Sequence, residues 1–173
     1  WAGQARNMGW QGLRMNLNTL ARHGAFQVPG CTEYVAARLA DAGEVAKARV
    51  YPYQLLAAYR MAGDEVPQPV REALQDALEL SLANVPALAG NVVVCPDVSG
   101  SMHSPVTGYR QGATTAVRCI DVAALVAAAV LRKQPAARVM PFERGVVNIH
   151  LNPRDSVMSN AQKLANIGGG GTN

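Results

Sequence analysis

Asp97, Ser99 and Ser101 alternate in the run Asp97-Val98-Ser99-Gly100-Ser101, and Thr172 follows the glycines Gly168 to Gly171. One carboxylate and three hydroxyls are hard oxygen donors, the kind that suit Mg²⁺. Three such side chains in a tight loop can converge on one divalent cation. Thr172 adds another oxygen where its loop approaches the same rim. With a single carboxylate in the set, the ion keeps net positive charge and an open position. Such a site takes an acidic ligand, either a partner carboxylate or a phosphate. No nucleophile, paired carboxylate or positioned base accompanies the loop, so the expectation is a protein that is not an enzyme. The glycine run lacks the Lys and the spacing of a nucleotide P-loop. His103, two residues past Ser101, reads as an ordinary loop histidine.

The elements around this loop read as an α/β domain. Val92 to Cys95 is a continuous apolar run. It suits a strand of a parallel sheet, covered on both faces. In open α/β sheets ligands bind at the carboxyl ends of strands, which is where the Asp97 loop falls. A helix is predicted from Thr114 to Lys133, with Ile120, Ala124, Leu125, Ala128 and Leu131 as its buried stripe. Strands are predicted over Ala137 to Phe142 and Val146 to His150, with a turn at Gly145. Ser156 or Ser159 can cap a short helix ending near Ile167. This order matches the front half of an α/β domain.

The preceding residues read as helices only. Trp10, Leu13, Leu17 and Leu20 share one helical face. Thr32 can cap a helix that stops near Gly43, and Pro52 suits the first position of the next, which ends before Gly63. Pro69 starts another, with Val70, Leu74, Ala77, Leu78 and Leu82 on its apolar side. Short connections between helices indicate a stack like that of HEAT-type helical repeats. The expected division is a helical segment over residues 1–88 and an α/β segment over 89–173.

The 173 residues are 49% hydrophobic and 16% charged, enough apolar content to build packed cores. Residues 1–88 carry eight Lys/Arg and eight Asp/Glu, whereas residues 89–173 carry eight and four, so the net charge of +4 sits in the second half. An excess of this size permits a polyanionic partner without demanding one. Three cysteines without a CxxC pair point to a reduced, cytoplasmic setting, with Cys95 and Cys119 expected to be buried thiols. No run of about 18 uncharged apolar residues occurs, so no membrane span is expected. Trp1 and Asn173 read as ends of a segment cut from a longer protein.

The segment VVVCPDVSGSM, Val92 to Met102, resembles the start of a von Willebrand factor A domain, and GGGGT matches that family's Thr loop. By that resemblance Ser99, Ser101 and Thr172 ligate the ion, and Asp97 lies near it, often acting through water. A further Asp of the family's site falls beyond Asn173. The stretches MNLNTLARHGAF (15–26) and YVAARLADAGEVAKARVYPYQLLAAYRMA (34–62) resemble the Ro, or TROVE-domain, ribonucleoproteins. Two departures are Asn173, where an Asp is expected, and Glu143-Arg144, where the family tends to Ser-Asp.

The resemblance implies a helical-repeat ring bridged by a Rossmann-like A domain, here truncated. It implies binding of small non-coding Y RNAs and of the ends of misfolded or maturing RNAs, including precursor rRNA. Roles in RNA quality control, rRNA maturation and stress survival follow from it, with an exoribonuclease among the implied partners. The residues themselves offer Arg14, Arg22, His23, Lys47 and Arg49, near helix ends and short loops, as phosphate contacts. Tyr51, Tyr53 and Tyr59 could stack on bases, but at helical spacing beside Pro52 they are expected in the core. The alternative reading is a metal-dependent protein-adhesion module that takes an acidic residue from a partner.

Overall fold

The computed structural model of the protein describes residues 1–108 and 117–171. The chain divides into two compact units, Trp1–Asn84 and Val85–Asn173. The sequence-based division lay between residues 88 and 89.

The described residues of the first unit are helical. In chain order they form α1 (Ala2–Asn7), α2 (Trp10–Met15), α3 (Leu17–Arg22), α4 (Cys31–Leu39), α5 (Ala42–Ala48), α6 (Pro52–Met61) and α7 (Gln68–Ser81). The stripe of Trp10, Leu13, Leu17 and Leu20 is buried as predicted. It runs across two helices, because the chain breaks at Asn16, whose side-chain amide turns back to the Gly12 carbonyl at 2.8 Å. The Trp10 indole donates to the Leu39 carbonyl, fixing α2 on the end of α4. Helix α7 presents Val70, Leu74, Ala77 and Leu78 to the core and packs on α4 and α6.

Two expectations in this unit change. Helix α4 starts behind Gly30 rather than at a Thr32 cap, and it ends at Leu39. Asp41 then opens α5 by accepting from the Glu44 amide at 2.7 Å. An Asp followed three residues later by an acid is a helix-start signal, and it restarts the chain where one longer helix was expected. Pro52 does begin α6, and Gln54 Oε1 accepts from the Tyr51 amide at 3.0 Å to fix that start.

In the second unit, β1 (Val93–Val94) pairs in parallel with β2 (Arg138–Val139), Val93 opposite Arg138 and Val94 opposite Val139. Helices α8 (Cys119–Lys133) and α9 (Val157–Ala165) pack against each other. The predicted α8 stripe of Ile120, Ala124, Leu125, Ala128 and Leu131 is buried. Residues 114–116 of the expected helix lie outside the described residues, and 117–118 precede its first turn.

The strand regions also differ from expectation. Val93 is 51% exposed and Cys95 is exposed, so alternate residues of the run face outward and one face is covered. Residues 146–150 form no strand: Val146 makes an isolated bridge to Phe142, and the Val147 amide donates to the Pro141 carbonyl. That tight return leaves no extended run to pair. Ser156, rather than Ser159, caps α9 by accepting from the Ser159 amide. Among the described residues no helix is long and apolar enough to cross a membrane.

Candidate metal centre and basic helical surface

Parallel pairing continues past the short strands and sets the rim. The Arg138 amide donates to Val92, Met140 to Val94 and Phe142 to Pro96, and the Val98 amide donates to Phe142. Asp97 and Phe142 therefore stand side by side where both strands end. Beyond them the chain enters a short 3-10 turn, Gly100–His103.

Within this loop the donors converge. The Asp97 carboxylate accepts from the Ser99 amide at 2.8 Å, and the Ser99 and Ser101 hydroxyls lie 3.2 Å apart. Ser99 is buried, Asp97 is half-buried and Ser101 is exposed. Hydrogen bonding from the Ser99 side chain, then from its backbone, holds the Asp97 carboxyl below its ordinary value. The carboxylate is thus ionised at neutral pH.

The glycine run arrives at the same place. Gly169 donates its amide to the Val98 carbonyl at 2.9 Å, and Gly170 accepts from the Gly100 amide at 2.8 Å. This closeness needs glycine. A Cβ at Gly168, where φ is +79°, would stand 2.2 Å from the Val98 carbonyl oxygen. Thr172 itself lies outside the described residues. Gly171, directly before it, is within this loop.

A third segment joins the rim. The Glu143 carboxylate accepts from the Gly170 amide at 2.7 Å, and the neighbouring Arg144 guanidinium lies along Gly171. Sequence reasoning marked Glu143-Arg144 only as a departure from a pattern. Its position directly after a strand was the signal that could have placed it at the rim.

The donor set fits a hard divalent cation. An ionised carboxylate, two adjacent hydroxyls and the end of the glycine loop meet at the strand ends, and all of the side-chain donors are oxygen. Among the described residues no group of three His, Cys, Asp or Glu side chains is gathered for a metal.

Behind the loop lies a polar chain that sequence reasoning missed. Asp121 is buried and accepts from the Arg118 backbone amide, Nε and Nη2. Its hydrogen bond with Arg118 raises the guanidinium above its ordinary value. Arg118 Nη1 lies 3.0 Å from His103 Nδ1. A guanidinium only donates, so Nδ1 accepts and the ring proton sits on Nε2. His103 is therefore held from behind rather than being an ordinary loop residue. Among the described residues its buried Nε2 has no hydrogen-bond partner.

The five proposed phosphate contacts fall into different settings. Arg14 is committed internally: its Nε and Nη2 donate to Gln11 and its Nη1 to the Gln54 carbonyl, and burial lowers its pKa. Arg22 is exposed at the end of α3, and exposed His23 stacks on Trp1 with ring centroids 4.3 Å apart. Lys47 and Arg49 are exposed at the end of α5, Arg49 in the left-handed region with φ +49°. The tyrosines correct the core expectation. Tyr51, just before α6, is 48% exposed, and Tyr53, in the first turn of α6, is 47% exposed. Tyr59 is half-buried beneath Arg71.

Comparison with known proteins adds the following. Residues 91–173 match the family model of the Ro60 vWA domain. Over 183 aligned positions the chain is 29% identical to the RNA-binding protein RO60 of Deinococcus radiodurans, covering 99% of this chain and 33% of that protein. The crystal structure of the Deinococcus radiodurans RO (RSR) protein matches with a TM-score of 0.74 at 24% identity, over 92% of this chain and 34% of that one. At this identity the structural likeness speaks to the fold alone. The chain spans about a third of the length of these relatives.

Proposed function

We propose that this chain belongs to the Ro family, with a helical unit followed by a Ro60-type vWA domain, and that it works as part of an RNA-binding protein. The observation that carries this reading is the alignment of 99% of the chain with a relative named for RNA binding. Exposed Lys47 and Arg49 support it, since cations at a surface neutralise phosphates and release counterions. The ligands proposed are RNAs with a free single-stranded end, such as misfolded or maturing transcripts, and small structured Y-type RNAs. The implied task is RNA quality control in the cytoplasm.

The second unit is proposed to hold a Mg²⁺-type ion through Ser99, Ser101 and Thr172, with Asp97 beside it. When bound, the ion supplies a Lewis-acidic position for one anionic oxygen. The chain's own part is to hold the hydroxyls 3.2 Å apart and to keep Asp97 ionised. The lone carboxylate among these donors also favours a second reading, in which a partner protein's acidic side chain completes the site.

The test uses the whole protein that carries this chain. Its affinity is measured for an RNA hairpin with a single-stranded tail, for the blunt hairpin and for an acidic peptide, at several salt concentrations. Tail-dependent binding that weakens as salt rises is expected. Binding of the peptide alone would replace the RNA reading with the adhesion reading.

A further inference from the structure

Tyr51 and Tyr53 flank Pro52 at the start of α6, and both rings stand about half exposed. The rings are nearly parallel, 14° apart, with centroids separated by 6.5 Å. Exposed aromatic rings are costly to leave in water unless something covers them. The backbone that carries them is held. Pro52 fixes its own φ, the Gln54 side chain accepts from the Tyr51 amide, and the Gln54 carbonyl accepts from the internally committed Arg14 beside Tyr53. A platform fixed in this way loses little conformational freedom when a flat ligand lies on it.

The charge around the platform selects the kind of ligand. Helix α5 begins with Asp41 and Glu44 and ends with Lys47, followed by Arg49, so its cationic end leads directly into Tyr51. Paired π-faces that follow exposed cations by a few residues in the chain match a strand of unpaired bases joined by phosphates. An acidic peptide would use the cations and leave the rings uncovered.

We propose that Tyr51 and Tyr53 form a base-stacking platform for single-stranded nucleic acid, with Lys47 and Arg49 contacting the adjoining phosphates. This rests on the RNA-binding reading and adds the residues and the mode of contact. Recognition is by stacking, so it tolerates any base and rejects a closed duplex whose bases are already stacked.

The experiment compares the whole wild-type protein with Y51A/Y53A and Y51F/Y53F, using a labelled single-stranded oligoadenylate and a blunt duplex of equal length. Wild type is expected to bind the single strand. Y51A/Y53A is expected to weaken that binding by roughly tenfold or more, since each stacked base contributes about 1–3 kcal/mol. Y51F/Y53F is expected to retain it, because the π-faces remain. Duplex affinity is expected to stay the same in all three. Thermal melting checks that each variant is folded, and upfield shifts of the tyrosine ring protons on titration with oligoadenylate report stacking in the wild type directly. Equal single-strand binding by folded Y51A/Y53A, or an absence of ring shifts, overturns the platform. A loss in Y51F/Y53F as large as in Y51A/Y53A would assign the contact to the hydroxyls and overturn stacking. Failure of wild type to bind any single strand would overturn the platform together with the RNA-binding reading.

Discussion

The Gly100 amide donates to the Gly170 carbonyl across 2.8 Å. That bond joins two loops seventy residues apart, 170 − 100. The second bond between them, from Gly169 to Val98, fixes the spacing at which oxygen donors from both loops can face one point. Metal affinity, local stability and loop order should therefore change together when either loop is altered.

Asp97→Ala is expected to abolish Mg²⁺ or Mn²⁺ binding by calorimetry, because it removes the site's ionised carboxylate. In metal-free protein the Asp97 carboxyl titrates below its unfolded value. The stability it contributes is therefore present above the unfolded value of about 3.9 and is lost as pH falls through the lower folded one. A carbon-detected NMR titration of Asp97 with its midpoint at or above the ordinary range would contradict the Ser99 hydrogen bonding.

Gly168→Ala is expected to cost at least about 2 kcal/mol, through positive φ and collision with the Val98 carbonyl. Gly145→Ala, where a Cβ meets nothing within 4 Å, is the control. Denaturant midpoints compare the two, and an unchanged midpoint for Gly168→Ala would show that the glycine loop does not need its close approach.

Asp121→Ala is expected to destabilise the second unit by about 2 kcal/mol, since it removes a buried carboxylate that holds Arg118 and the start of α8. It should also free His103. Ring ¹⁵N spectra of wild type are expected to show the proton on Nε2 of His103, and the variant a mixture of both tautomers. An Nδ1 proton in wild type would contradict the Arg118 contact.

Cys95 is expected to react quickly with a maleimide in native protein, whereas Cys31 reacts only on unfolding, because the first is exposed and the second fully buried. Mass spectrometry of the labelled peptides reads the order, and equal rates would contradict it.

Much of this architecture was legible in the chain. The α8 stripe, the Pro52 helix start and the rim position of Asp97 follow from periodicity, from proline geometry and from the rule that ligands gather at strand ends. What escaped depends on contacts distant in sequence. Nothing local in His103 announces Arg118, fifteen residues on, and nothing local in Glu143 announces the amide of Gly170. The tyrosines were misplaced for a different reason. Helical spacing assigns faces only inside a helix, and Tyr51 precedes the first turn of α6. Apolar composition misled at Cys95, because a strand covered on one face still carries valines on the other.

The most direct test of the metal-binding rim is paramagnetic broadening by Mn²⁺ in ¹⁵N-labelled protein. Substoichiometric Mn²⁺ is expected to broaden first the amides of residues 97–101 and 168–171. Broadening centred on Asp155 or elsewhere, with both loops left sharp, would contradict a site built where they meet.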